Sequence, residues 1–215
     1  MKRKLGNIQD LIREIERLKK SSVKALIEKR IREFEELRRK SSEEIFIELC
    51  FCILTANYNA EKSVMIQKNI QKGFLTLPQH DLEEKLRELG HRYPKTRAKY
   101  IVEARKYAKN IKSVISSFRN EASLREWLVK NIKGLGYKEA SHFLRNIGYK
   151  NLAIIDFHII DILAKYGIIQ KQKTLTPRKY LQIEETLRTI AKETNLTLAE
   201  LDLYLWYLET QKILK

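Results

Sequence analysis

Cysteine is almost missing from this 215-residue chain: Cys50 and Cys52, in ELCFCILTA, are the only two. Two thiols cannot supply the ligands of a four-cysteine zinc or iron–sulfur site, and such sparse usage leads us to expect a reduced, intracellular protein. Long apolar runs are missing as well. None reaches the ~18 residues that a membrane span needs. The N-terminal MKRKLGNIQDLIREIERLKK is basic without a continuous apolar stretch, so a charged amphipathic helix is expected there rather than a secretory signal. Glycine and proline are scarce, at 7 and 3, which leaves few breakers between elements. Acidic residues are in deficit too: 27 Asp plus Glu stand against 43 Lys plus Arg, a net charge of +16. That imbalance favours a polyanionic partner, either nucleic acid or an anionic membrane surface.

A hydrophobic content of 43% supports a true core, and the length suits one compact domain or two small lobes sharing a cleft. The 33% charged residues, with so few cysteines, fit a heat-adapted protein. Apolar residues recur with a period of 3.6 nearly throughout, so the chain reads as all-α. The expected helices are 7–20, 22–39, 42–56, 60–72, 81–89, 94–111, 123–132, 137–147, 157–166, 177–193 and 197–211. Ser41 with Glu44, Ser123 with Glu126 and Thr197 with Glu200 have capping-box spacing. Asp81 with Glu84 is similar, and Thr176-Pro177 reads as an N-cap followed by proline at the first helical position. No low-complexity linker or internal repeat divides the chain. The looser KQKTLTPRK, 171–179, reads as a crossing back between lobes.

The stretch GLGYKEASHFLRNIG, 134–148, places Lys138 in the first turn of a helix, the positive end of its dipole, where a cation is disfavoured. The glycines Gly134 and Gly136 allow close approach of backbone to a phosphate, with the free N–H groups of the helix start directed at it. A helix on each side makes this a helix-hairpin-helix, a grip on the DNA backbone that is independent of base sequence. In the second helix Ala140, Phe143, Leu144 and Ile147 share the core face. Lys138, Ser141, His142 and Arg145 share another face, expected to point outward. Further on, in AIIDFHIID, Asp156 should be the N-cap of the helical run from Phe157. The helix after the hairpin is ~16 Å long, and the residues after it can span up to ~26 Å. The chain can therefore bring Asp156 back to the level of Lys138.

On these residues the region 123–166 resembles the helix-hairpin-helix–Gly/Pro–Asp superfamily of DNA glycosylases. KGLGYKEASHFL is similar to that superfamily's hairpin and catalytic lysine, and IIDFH to its aspartate segment, with the same eighteen-residue separation. Lys133 stands where the hairpin usually has proline. The superfamily's iron–sulfur members carry cysteines that this chain lacks, so the likeness is to a cluster-free branch with no required cofactor. LCFCILTANYNAEKS resembles the segment that inserts an Asn or Gln into the gap left by a flipped base, which implies that role for Asn57. The tail LDLYLWYLETQKILK, with the short helical length, resembles the second, archaeal-type family of 8-oxoguanine DNA glycosylase/AP lyases. That likeness implies base recognition by Trp206 and by the terminal Lys215; without it, Trp206 reads equally well as a core residue.

The resemblance implies two helical lobes around a central DNA-binding cleft, the whole of 1–215 forming one glycosylase domain. The helix-hairpin-helix lobe is expected at about 50–165, and 1–49 with 166–215 in the other. A free lysine, with pKa about 10.4, is charged near neutrality, and only the neutral amine is nucleophilic. The helix start, partial burial and the nearby cation Arg145 all disfavour the charged form. Neutral Lys138 is then expected to attack C1′ of a flipped nucleotide, with β-elimination to follow, while Asp156 stabilises the developing positive charge. HRYPKTRAKY offers Arg92, Tyr93 and Arg97 as a basic-aromatic cluster for the orphaned base or the backbone, with Arg97 preferred as the cytosine reader by its resemblance to the superfamily's. His158, just inside its helix, is expected near DNA as a hydrogen-bonding residue rather than a proton carrier. Backbone carbonyls of Lys130, Ile132 and Leu135 are placed to hold a monovalent cation bridging to phosphate. Damaged double-stranded DNA is the expected partner and a monomer the expected state; the hairpin gives a membrane partner little support. Two readings compete: a related glycosylase for other oxidised bases or mismatches, and a helix-hairpin-helix DNA-binding protein without activity.

Overall fold

The computed structural model describes residues 7–172 and 174–215, and among them every regular element is a helix. In chain order these are α1 (Ile8–Lys19), α2 (Val23–Arg39), α3 (Ser42–Thr55), α4 (Ala60–Ile70), α5 (Gly73–Thr76), α6 (Gln79–Glu88), α7 (Pro94–Ala104), α8 (Ile111–Ser116), α9 (Glu121–Asn131), α10 (Tyr137–Asn146), α11 (Phe157–Lys165), α12 (Pro177–Glu193) and α13 (Leu198–Thr210). A single 3-10 turn, Arg105–Tyr107, follows α7. The all-α expectation holds.

The chain divides into two compact units. One is the continuous segment 35–147; the other combines 1–34 with 148–215. The lobe bounds expected from sequence assign 35–49 and 148–165 the other way round. In the continuous unit α3 is the central helix, packed by α4, α5, α7, α8 and α10. Its sequence explains that position. Ile45, Phe46, Leu49, Cys50, Phe51, Cys52, Ile53 and Leu54 are all buried, so the helix is apolar all round and must be covered on every side. Each such side chain contributes roughly 1.5–3 kcal/mol when fully buried. In the other unit α13 packs against α1, α11 and α12, around Leu201, Leu203, Leu205 and Ile190.

Local chemistry sets most helix starts. Ser41 with Glu44 and Thr197 with Glu200 form reciprocal capping boxes, and Thr176 caps α12 ahead of Pro177. Three expectations are corrected. Helix α9 is capped by Asn120, whose Oδ1 accepts the Ser123 N–H at 2.8 Å, and not by Ser123. Helix α6 begins at Gln79 behind Pro78, ahead of Asp81. The long helix expected over 94–111 ends at Ala104, and α8 forms separately after it. The break coincides with Arg105, whose guanidinium donates to the carbonyls of Phe74 and Leu77 at 2.8 and 2.7 Å. A tertiary bond of that kind leaves no trace in helical periodicity.

Candidate active site

The hairpin is built as the sequence suggests. Helix α9 ends at Asn131, the turn closes with the Leu135 N–H donating to the Ile132 carbonyl at 3.3 Å, and α10 starts at Tyr137. Ile132 O is one of the three carbonyls considered for a cation; a carbonyl has two lone pairs, so the turn bond leaves one. Gly134 has φ +90°, and a Cβ there would lie 2.6 Å from Tyr100 Cδ2, so only glycine fits. Gly136 is different. It is extended, φ −93°, and a Cβ there would come within 3.1 Å of Glu139 Oε2. That carboxylate reaches back to accept the Gly136 N–H at 3.1 Å and caps the helix. Its other oxygen, Oε1, lies 3.1 Å from Lys138 Nζ. The lysine side chain is half-buried, 26% exposed.

The remainder of the polar face of α10 does not point outward. Ser141, His142 and Arg145 are buried along with Ala140, Phe143, Leu144 and Ile147, so the helix is enclosed on both faces. Ser141 and Arg145 find partners on a distant helix and on α10 itself. Arg125 of α9 donates to Ser141 Oγ at 3.2 Å. Arg145 donates twice to Asn146 Oδ1, at 3.1 and 2.9 Å. Asn146 Nδ2 in turn donates to Glu48 Oε1 of α3 at 2.6 Å, and Gln67 of α4 donates to Glu48 Oε2 at 3.0 Å. A buried charge is tolerated only when paired and hydrogen-bonded. The chain from Arg145 through Asn146 to Glu48 and Gln67 meets that condition, and it fixes α10 to α3 at the helix carrying Lys138.

Asn57 lies exposed at the turn after α3, in the left-handed region with φ +54°, a conformation that asparagine tolerates. Its neighbours are all held. Arg97 donates to Ala56 O, Tyr58 donates from its hydroxyl to Gly90 O at 2.8 Å, and Asn59 caps α4. His91 lies 3.1 Å from Leu54 O through Nε2 and accepts the Tyr93 N–H at Nδ1 over 3.0 Å, so Nε2 carries the proton and the ring is neutral. Burial lowers the His91 pKa; the Leu54 bond opposes that shift, and the Arg97 charge adds to it. Arg97 is itself buried between the rings of Tyr93 and Tyr100, its pKa lowered chiefly by desolvation, against Tyr100, Glu139 and Tyr93. Arg97, the arginine expected to read the cytosine, is thus held by the Ala56 carbonyl and the two rings. Arg92, over the Tyr93 ring at 5.1 Å, is the exposed arginine of the pair.

In the other unit, Asp156 caps α11, its Oδ1 accepting the Ile159 N–H at 3.0 Å. The segment leading to it is held by α12. Ala153 N–H donates to Glu184 at 2.9 Å, and the Tyr180 hydroxyl accepts Ile155 N–H at 3.2 Å while donating to Ala153 O at 2.7 Å. His158 is exposed, with its ring edge-on to Trp206 at 4.7 Å. Trp206 is half-buried, and its enclosed Nε1 has no hydrogen-bond partner among the described residues. Lys215 is half-buried. Sequence reasoning passed over Glu139, His91 and Tyr58. Only Glu139 carried a signal, its place three residues after the glycine that opens the helix.

A sequence model described as 8-oxoguanine DNA glycosylase matches residues 27–196. The chain is 56% identical to an 8-oxoguanine DNA glycosylase/AP lyase of Korarchaeum cryptofilum, over 97% of this chain and 99% of that one. It is 59% identical to the protein of the same name from Methanocaldococcus jannaschii, over 95% and 99%. The fold matches the crystal structure of the M. jannaschii glycosylase/lyase in complex with 15mer DNA containing 8-oxoguanine, with TM-score 0.93, 58% identity and coverage of 95% and 99%. It also matches the 8-oxoguanine DNA glycosylase of Thermotoga maritima, with TM-score 0.91, 44% identity and coverage of 97% and 100%.

Proposed function

The chain belongs to the 8-oxoguanine DNA glycosylase family, and on that footing we propose how its residues carry out base excision and strand cleavage. It is a DNA-repair glycosylase and AP lyase that acts on 8-oxoguanine in duplex DNA. Lys138 is the nucleophile. Its neutral amine attacks C1′ of the extruded nucleotide; the C1′–N bond to the base breaks, and the departing base takes the bonding pair and then a proton. Loss of the amine proton and ring opening leave a Schiff base. Removal of a C2′ proton then expels the 3′ phosphate by β-elimination. Asp156 acts as a carboxylate, stabilising positive charge on the sugar as the base leaves. Its Oδ1 is committed to the helix cap, and Oδ2 carries the charge-stabilising role.

The hairpin amides around Gly134 and Gly136 hold the DNA backbone, and Arg92 adds an exposed cation beside Tyr93. Asn57, displayed on a turn whose neighbours are tied down, fills the gap left by the extruded base. The enclosed, unpartnered indole N–H of Trp206 supports its role in base recognition, with Lys215.

The observation that carries this reading is the position of Lys138, one residue into α10 behind the glycine hairpin. A duplex with one 8-oxoguanine opposite cytosine, incubated with the protein and borohydride, tests it. A covalent complex that vanishes in Lys138→Gln is expected. A complex of undiminished yield in that variant would assign the chemistry to another amine.

A further inference from the structure

We propose that Glu139 is a carboxylate latch on the hairpin, which holds the Lys138 ammonium and the Gly136 amide in the free protein and is displaced by a DNA phosphate. The inference rests on the preceding reading, in which the hairpin grips DNA and Lys138 attacks. Three observations meet at this one side chain. Oε2 accepts the Gly136 N–H at 3.1 Å, so an amide at the centre of the proposed phosphate grip already has an anionic partner. Oε1 lies 3.1 Å from Lys138 Nζ, so the same group neutralises the nucleophile in its unreactive, charged form. Gly136 supplies the room: its backbone is extended and needs no glycine, yet a Cβ would come within 3.1 Å of Oε2. The missing side chain is explained by the anion seated there.

One N–H carries one hydrogen, so the carboxylate and a phosphate oxygen compete for the Gly136 amide. They also repel each other at contact distance, where a like-charge pair costs most. A phosphate arriving at the hairpin therefore drives the carboxylate off the amide. When Glu139 swings away, Lys138 loses its ion-pair partner, and its amine is free to turn toward the sugar. Binding of DNA and release of the lysine become one event. A neutral glutamine at this position closes the same box and gives up only the modest interaction of a carboxylate with the helix dipole.

The test separates latch from cap by sign. Glu139→Gln keeps an oxygen for the Gly136 amide and removes the charge; Glu139→Ala removes both. Affinity for an undamaged duplex, by fluorescence anisotropy, is expected to tighten in each by about threefold to fivefold, the scale of one ion pair that solvent still reaches. Borohydride trapping on 8-oxoguanine duplex at saturating protein is expected to proceed at least as fast as in the parent. Glu139→Asp, which retains a charge, is expected to stay near the parent in both. Unchanged or weaker affinity, or slower trapping, in a charge-removing variant with parental melting temperature would overturn the latch. Failure of the underlying reading shows elsewhere, as undiminished trapping in Lys138→Gln.

Discussion

Two helix starts carry the two groups proposed to react, and they are built in opposite ways. At α10 the functional residue sits one position inside the helix, and the cap is supplied by another side chain, Glu139. At α11 the functional residue, Asp156, is itself the cap. The lysine is thereby relieved of structural duty, while the aspartate holds its helix and is assigned chemistry as well. Substitutions should separate cleanly at the first site and remain entangled at the second.

Lys138→Gln gives the largest expected effect: trapping and strand cleavage fall by at least ~10^3-fold, with the melting temperature unmoved. A marked drop in melting temperature would break the contrast. Asp156 comes next. Asp156→Asn and Asp156→Ala are each expected to slow base release by ~10^2-fold or more. Only the alanine variant should also lose about 1 kcal/mol in urea denaturation, because asparagine caps a helix as well as aspartate does. Equal stability of the two variants would show that the cap contributes nothing. Gly134→Ala probes the backbone of the hairpin instead. Its φ of +90° and the 2.6 Å approach to Tyr100 predict a loss of about 1–3 kcal/mol, with weaker duplex binding.

The smallest effect extends the comparison to a helix end. His91 binds the last turn of α3 in neutral form, its pKa below the ordinary 6.5. The unfolded chain takes up that proton first, so the stabilisation is complete above pH 6.5 and is lost as pH falls below it. His91→Gln should flatten the acid side of a plot of melting temperature against pH; an unchanged slope would remove His91 from this account.

Features written in local chemistry were legible in the sequence: the caps at Ser41, Thr176, Thr197 and Asp156, the glycine hairpin and the all-helical period. Features decided by distant partners were not. Ser141, His142 and Arg145 have a polar pattern indistinguishable from a solvated face, because Glu48 and Arg125, which bury with them, lie on α3 and α9. The burial of Arg97 against the Ala56 carbonyl and two tyrosine rings is of the same kind. The role of Glu139 stayed hidden because a glycine, which has no side chain to complete a box, stands at the capping position.

The division of the chain has a consequence for the order in which the protein is made. The unit over 35–147 is one unbroken segment, so all its contacts are available once Ile147 has emerged from the ribosome. The other unit joins 1–34 to 148–215 and must wait until the later of its two segments has been made. Its long-range closure also carries the larger loop entropy. The half with the hairpin and Lys138 can therefore be folded while the half with Asp156 is still a nascent chain, and a stalled ribosome would display the first without the second.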